Sequence, residues 1–254
     1  MIPLVKRIAI SSRDNSWFKR LRAAVSDHDE EILLEGVKHV RDALHAGWEP
    51  IAMVATPGRE LPTHPPDGVP LIELTPQLFS QLSDTVQAQE IAALFMRPSM
   101  SVEKLRLTAR ETIVILDAVQ DPGNVGTIIR LAAAFDAAAV FLTAGSADPF
   151  GAKAIRASAG AVLAVPLIRS DVDEVVSFCA NHDFTLIATD MSGEPLGLPL
   201  LPRLALAFGN EGQGVGDTIR SASKRIAIPM TSRVESLNVA AAAAILLSRI
   251  YESR

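Results

Sequence analysis

Three short segments decide how this chain folds: D-P-G-N-V-G-T-I-I-R from Asp121 to Arg130, F-G-N-E-G-Q-G-V-G from Phe208 to Gly216, and I-P-M-T-S-R-V-E-S-L-N-V from Ile228 to Val239. Each joins glycine or proline to a few polar side chains, at the end of an apolar, strand-like run. Loops of that composition let backbone amides approach a ligand while flanking elements hold them still. Working outward, Thr112 to Leu116, Ala139 to Thr143, Val162 to Pro166, Phe184 to Thr189 and Leu204 to Phe208 are expected strands. Val125 to Phe135, Asp171 to Asn181 and the alanine-rich stretch from Val239 to Ile250 are expected helices. The alternation predicts an α/β domain over residues 111–254, with a mostly parallel sheet covered by helices on both faces. Ligands of such sheets bind beyond the carboxyl ends of the strands, where all three segments begin.

Residues 1–96 have a different texture and predict a smaller α/β unit. Its strands are expected at Ile32 to Leu34, Ile51 to Ala55, Leu71 to Leu74 and Ile91 to Met96. Helices are expected from Val37 to Ala46, ending at Gly47, and near Pro76 to Leu82. Between the second and third strands, Pro62, Pro65 and Pro66 preclude regular structure in the segment from Pro57 to Pro70. Residues 97–110 mix charge with a helix-breaking proline and read as a linker.

The chain has 254 residues, 48% hydrophobic and 21% charged, the balance of an ordinary soluble globular protein. No apolar run approaches the roughly 20 residues that cross a bilayer, so no membrane partner is expected. Lys6 and Arg7 interrupt the first apolar residues instead of preceding them, unlike a signal peptide. The single cysteine, Cys179, lies in an amphipathic stretch and reads as a buried thiol, which suits a reducing cytoplasm. The five histidines have no metal-ligand spacing, so no metal is expected.

A net charge of −5 looks unpromising for nucleic acid, but the distribution is uneven. Residues 1–26 carry six basic side chains against Asp14 alone, a local charge of +5. Arg13, Lys19 and Arg22 recur there at helical spacing beside Trp17 and Phe18. That pattern suits phosphate contact with stacking groups nearby; its plain alternative is a solvated helix face. Lys153 and Arg156, one helical turn apart, form a second basic patch.

Each segment also has a plain reading. Asp121 to Asn124 is turn chemistry that caps a helix. Arg130 then falls inside an apolar helical stretch, where a charge needs a partner or a ligand. The loop from Gly209 to Gly214 superficially suggests a dinucleotide-binding glycine loop, but it does not follow the domain's first strand. The third segment reads as strand, loop and helix, with Ser236 as the helix cap.

Together the three segments resemble the motifs of the SPOUT superfamily of methyltransferases, in its SpoU (TrmH) branch, over about 140 residues from Thr112 onward. The resemblance implies an S-adenosylmethionine-dependent RNA 2′-O-ribose methyltransferase with a trefoil knot in the C-terminal domain. It places Asn124, Arg130, Glu211, Ser236 and Asn238 at the reaction centre, with Glu211 orienting Arg130. Cofactor contacts fall to Gly209, Ile228 and Leu237, and with them Thr143, Asn210, Gly214 and Met230. RNA contacts would come from Arg13, Lys19, Arg22, Lys153 and Arg156. The first 96 residues are similar to a substrate-binding domain that resembles RNA-binding ribosomal proteins. Homodimer formation through the catalytic domain is implied, and ribosomal RNA is the leading substrate. The alternatives are a tRNA 2′-O-methyltransferase, a catalytically silent RNA-binding assembly factor of the same fold and, from another class, a nucleotide-dependent oxidoreductase. Where the family usually has Phe-Gly this chain has Phe135-Asp136, and where it commonly has Gly this chain has Ser232.

Overall fold

Two units, residues 1–98 and 99–254, emerge in a computed structural model that describes residues 5–26, 30–83, 89–197 and 201–253. In the first, β1 (Arg7–Ile10), α1 (Ser16–Ser26), β2 (Glu31–Glu35), α2 (Val37–His45), β3 (Pro50–Ala55), β4 (Leu71–Leu74), α3 (Pro76–Phe79) and β5 (Ile91–Met96) follow in order. The sheet runs β1-β4-β3-β5-β2. β1, β4 and β3 are parallel to one another, while β5 is antiparallel to both β3 and β2. Phe18, Leu21 and Ala24 recur every third residue of α1 and fill the core against Ile72, Leu74 and Leu94. This corrects one expectation. Phe18 is only 1% exposed and cannot stack on a ligand. Trp17 is half-buried, with the Arg20 guanidinium 5.1 Å from its ring centroid.

The second unit contains β6 (Glu111–Asp117), α4 (Pro122–Ala134), β7 (Ala139–Leu142), α5 (Ala152–Ser158), β8 (Leu167–Arg169), α6 (Val172–Asn181), β9 (Thr185–Pro195), β10 (Arg203–Gly209), α7 (Asp217–Ala222), β11 (Lys224–Ala227) and α8 (Val239–Glu252). Its six strands run β11-β9-β10-β6-β7-β8, every pair parallel. Ile113 and Ile115 point to one face and Val114 and Leu116 to the other, and all four are buried. That is the near-continuous apolar strand of a parallel sheet covered on both sides. Within the segment read as a linker, Met100, Val102, Leu105 and Leu107 pack against the core formed by Ile113, Phe141, Phe178 and Ala205. Cys179 is buried in the same core.

Three expected elements differ. Val162 to Pro166 is not a strand: Ala161–Leu163 forms a single 3₁₀ turn, and the strand comes later, as β8. Ala159 (φ 52°) and Gly160 (φ 90°) turn the chain into that 3₁₀ segment, which buries Val162 and Leu163 without strand alternation. A short apolar run does not distinguish the two outcomes. α4 starts three residues early because Pro122 suits the first helical turn and Asp121 caps it. α8 is capped by Asn238, not Ser236. Among the described residues no helix is long and apolar enough to cross a membrane, and no cluster of side chains could hold a metal ion.

Candidate active site

At the centre of the second sheet β6 and β10 lie side by side, and their last residues, Asp117 and Gly209, are register partners. Asp117 is only 6% exposed. Its Oδ1 accepts a hydrogen bond from the Thr143 hydroxyl at 2.8 Å, and its Oδ2 accepts one from the Gly216 backbone at 2.7 Å. One carboxylate thus ties together the ends of β6 and β7 and the loop that follows β10. The sequence reading passed over Asp117, although an acid closing the apolar run Ile113 to Leu116 was a visible signal. Thr143, expected at the cofactor, also accepts from the Ala118 backbone at 3.2 Å and is 2% exposed, so its hydroxyl is committed to the scaffold.

The loop after β10 folds on itself. Asn210 and Gly214 exchange backbone hydrogen bonds of 3.0 and 2.8 Å. The Asn210 Oδ1 accepts from the backbones of Gly212 (2.9 Å) and Gln213 (3.1 Å), while its Nδ2 donates to the Ala118 carbonyl at 3.1 Å. A Cβ on Gly209 would lie 2.1 Å from the carbonyl carbon of Gly214, so only glycine lets the loop close this tightly. Gly214 itself adopts φ 72°.

This closure presents Glu211 to the start of α4. The carboxylate accepts from the backbones of Gln120 and Asp121, both at 3.3 Å, and from Asn124 Nδ2 at 2.9 Å. The expected pairing of Glu211 with Arg130 is therefore corrected: the acid orients Asn124. Arg130 lies six residues further along α4, about 9 Å along its axis. It is exposed and pairs with no described residue. Burial works to raise the Glu211 pKa, but the hydrogen bonds from Asn124 and from the backbone outweigh it and hold the group below its ordinary value.

From Asn124 the network continues into the third segment. Asn238 Nδ2 donates to Asn124 Oδ1 at 3.1 Å, while Asn238 Oδ1 accepts from the backbones of Ala240 (2.9 Å) and Ala241 (3.3 Å). The orientations are mutually determined. Backbone N–H groups fix the oxygen of Asn238, its amide nitrogen then fixes the oxygen of Asn124, and the nitrogen of Asn124 meets a carboxylate. Asp121 secures the near side: Oδ1 accepts from the Asn124 backbone at 3.0 Å and Oδ2 pairs with Lys153 Nζ at 2.6 Å. The Lys153 hydrogen bond and the Asn124 backbone hold Asp121 below the usual carboxylate range.

The remaining expected residues divide into free and engaged. Ser236 is exposed, and the backbones of residues 230–237 make no hydrogen bond to another described residue. Ile228 and Leu237 are half-buried, and Met230 is 41% exposed. Arg13, Arg22 and Arg156 are exposed. Lys19 lies 3.5 Å from Asp14, and Lys153 is held by Asp121.

Comparison with known proteins places the chain in a family. Residues 111–248 match the model of the SpoU rRNA Methylase family, and residues 25–93 match that of the MRM3-like substrate binding domain. The chain is 34% identical to the 23S rRNA (guanosine(2553)-2′-O)-methyltransferase RlmP of Bacillus subtilis, over 85% of this chain and 86% of that protein. It is 26% identical to a 23S rRNA (uridine(2479)-2′-O)-methyltransferase of Streptomyces viridochromogenes, over 99% and 94% of the two chains. Among solved structures, the AdoMet-bound rRNA methyltransferase of Sinorhizobium meliloti superposes with a TM-score of 0.85 at 27% identity, covering 97% of this chain and 98% of that one.

Proposed function

Because this chain belongs to the SpoU rRNA methylase family, we propose that it transfers a methyl group from S-adenosylmethionine to a ribose 2′-hydroxyl of ribosomal RNA. The observation that carries the reading is the hydrogen-bonded series Glu211–Asn124–Asn238, which joins all three segments beyond the ends of β6 and β10.

The residues present fit the cofactor. Ile228, Met230 and Leu237 offer apolar surface to an adenine, and residues 230–237 offer backbone donors and acceptors that pair with no other described residue. Bound there, S-adenosylmethionine would supply an electrophilic methyl group. The protein then has to align a ribose oxygen with it, exclude water and accommodate the proton that the hydroxyl loses. Alignment of two reactants alone accounts for a large part of such accelerations. Asn124, held at both ends of its amide, is a positioning group. A guanidinium is a poor base near neutrality, so the role given to Arg130 is electrostatic. Its exposed charge is available to the developing alkoxide or to the neighbouring phosphate, and the hydroxyl proton leaves to phosphate or water.

The N-terminal unit holds the RNA, aided by Arg13, Lys19 and Arg22. The enzyme works as a cytoplasmic homodimer. The apolar C-terminal helix from Val239 to Ile250 is the candidate surface for that two-fold contact. The test is transfer of labelled methyl to unmodified 23S ribosomal RNA, with tRNA alongside and the modified ribose mapped. Incorporation into a single ribose of ribosomal RNA is expected. No incorporation into either RNA, by a protein that binds the cofactor, refutes the assignment. A monomer in light scattering at tens of micromolar refutes the dimer.

A further inference from the structure

We propose that a pocket wholly within the N-terminal unit receives one unpaired nucleobase of the RNA substrate, a proposal that rests on the reading of RNA as the substrate. The pocket has a volume of ≈ 450 Å³, in the range of small-molecule sites. Arg7, Thr56, Arg59, Thr63, His64 and Glu73 line it, with apolar wall from Leu61 and Leu71.

Its outer wall is the proline-rich segment between β3 and β4, which the catalytic reading does not use. Residues 57–70 contain no helix or strand. Connections of that length without secondary structure are uncommon and tend to be functional. This one is anchored. Pro65 is buried, the Arg59 backbone donates to the Thr56 carbonyl at 3.2 Å, and Arg59 Nε donates to Glu90 Oε2 at 2.6 Å. The Thr56 hydroxyl donates to the same carboxylate oxygen at 3.2 Å. Glu90 holds this position with a left-handed backbone, φ 56°, which non-glycine residues seldom adopt. A merely connecting loop would not need these attachments.

Charge decides what the pocket accepts. Arg7 pairs with Glu73 at 3.2 Å, and Arg59 pairs with Glu90. Glu60 adds a further acid to the lining. The two arginines are thus neutralised, and a phosphate would meet no net positive charge. A flat, uncharged heterocycle suits the site better. Leu61 and Leu71 can contact its face, while the Thr63 hydroxyl, the His64 imidazole and the Glu73 carboxylate offer both donors and acceptors to its edge. Sequence-specific recognition of RNA targets bases splayed out of loops and bulges in this manner.

The experiment measures binding of unmodified 23S ribosomal RNA to the full-length protein at several salt concentrations, for wild type, Thr63→Trp and Glu73→Gln. Thr63 is exposed on the loop, so tryptophan fills the pocket without entering the core. Both variants are expected to lose about tenfold in RNA affinity, and for Thr63→Trp, which leaves every charge in place, the log–log salt slope should be unchanged because no phosphate contact is removed. Cofactor affinity should stay within twofold, and circular dichroism with thermal unfolding of each variant checks that the N-terminal unit is folded. Nucleoside monophosphates should compete with RNA for the wild type and not for Thr63→Trp. Unchanged RNA affinity in Thr63→Trp overturns the proposal. So does a slope that falls by about one unit, which would mark a phosphate site. Wild-type protein that binds RNA but transfers no methyl group would sink the methyltransferase reading while leaving the pocket to be decided by these affinities. Protein that binds no RNA overturns the pocket.

Discussion

Removing the Glu211 carboxylate tests the site where it is most specific. Glu211→Ala deletes the acceptor of three hydrogen bonds, one from Asn124 Nδ2 at 2.9 Å and two from backbone N–H groups at 3.3 Å. Glu211 is exposed, so water replaces the carboxylate at the backbone groups and the stability cost is about 1 kcal/mol or less. The effect on rate is larger if Asn124 must hold its orientation in the transition state. Loss of one charge-assisted hydrogen bond, worth about 1.5–3 kcal/mol, corresponds to roughly 10–150-fold in kcat. Glu211→Gln separates orientation from bulk. Its oxygen can still face Asn124 and Asp121, while its NH₂ group opposes the Gln120 N–H, so a loss of only about threefold to tenfold is expected. The assay is single-turnover transfer of labelled methyl to unmodified 23S ribosomal RNA, with a cofactor titration and thermal unfolding of each variant. Normal turnover by Glu211→Ala refutes the positioning argument. Equal losses in the two variants would show that charge, not the orientation of Asn124, is what matters.

Arg130→Ala should lower transfer by about two orders of magnitude while cofactor affinity stays within a few-fold, as for a group that stabilises charge in the transition state; near-normal turnover would remove Arg130 from the reaction centre. Gly209→Ala should weaken cofactor binding at least tenfold in a calorimetric titration, because its Cβ would sit 2.2 Å from the Val215 nitrogen and the loop must open. Affinity within twofold of wild type would show that this closure does not shape the site. Burial pushes the Cys179 thiol from 9.0 up to about 12, so the unfolded chain releases that proton at lower pH than the native protein. Stability linked to Cys179 is intact below pH 9.0 and declines toward 12, and urea midpoints should fall less steeply over that window for Cys179→Ala than for wild type. Glu211 works in the opposite sense: its folded pKa lies below 4.5, so its contribution is present above that value and is lost only as pH falls through the depressed one. Transfer rates attributable to this group should therefore not change between neutral pH and the ordinary glutamate range, and an acid limb above 4.5 that disappears in Glu211→Gln would contradict this.

Where the sequence was legible, local chemistry controlled the outcome. Asp121 followed by Pro122 is a helix start, and the apolar runs of β6, β7 and β10 had to be buried strands. Where it misled, two local preferences competed. Val162 and Leu163 satisfy a buried strand and a buried 3₁₀ turn equally well, and the turn prevails because Ala159 and Gly160 bend the chain into it. Phe18 beside Trp17 looked like a stacking pair, but the face of α1 shared with Leu21 and Ala24 draws it into the core. The partner of Glu211 was not legible at all. Charge complementarity favours Arg130, whereas the closed loop after β10 delivers the carboxylate to the first turn of α4, where Asn124 stands. Residues 87 and 114 positions apart meet in that network, and no periodicity encodes such contacts.

The same network separates scaffold from chemistry among residues that the sequence alone could not rank. Asp117, Thr143, Asn210 and Asp121 are polar groups in or beside the three segments, yet their hydrogen-bonding atoms are engaged by backbone, by one another or, for Asp121, by Lys153. A group satisfied in this way gains little by turning to a ligand, since each new bond replaces one already made. Arg130, Ser236 and the backbone of residues 230–237 are in the opposite condition, exposed and without a described partner. Asn124 stands between the two classes. Both ends of its amide are held by protein, which fixes its place without exhausting it, because the carbonyl oxygen retains a lone pair and the nitrogen a second hydrogen. Rigid placement combined with spare hydrogen-bonding capacity is what a group needs if it is to orient a ribose hydroxyl without moving toward it. On that physical ground we propose Asn124 as the positioning residue and Arg130 as the electrostatic one.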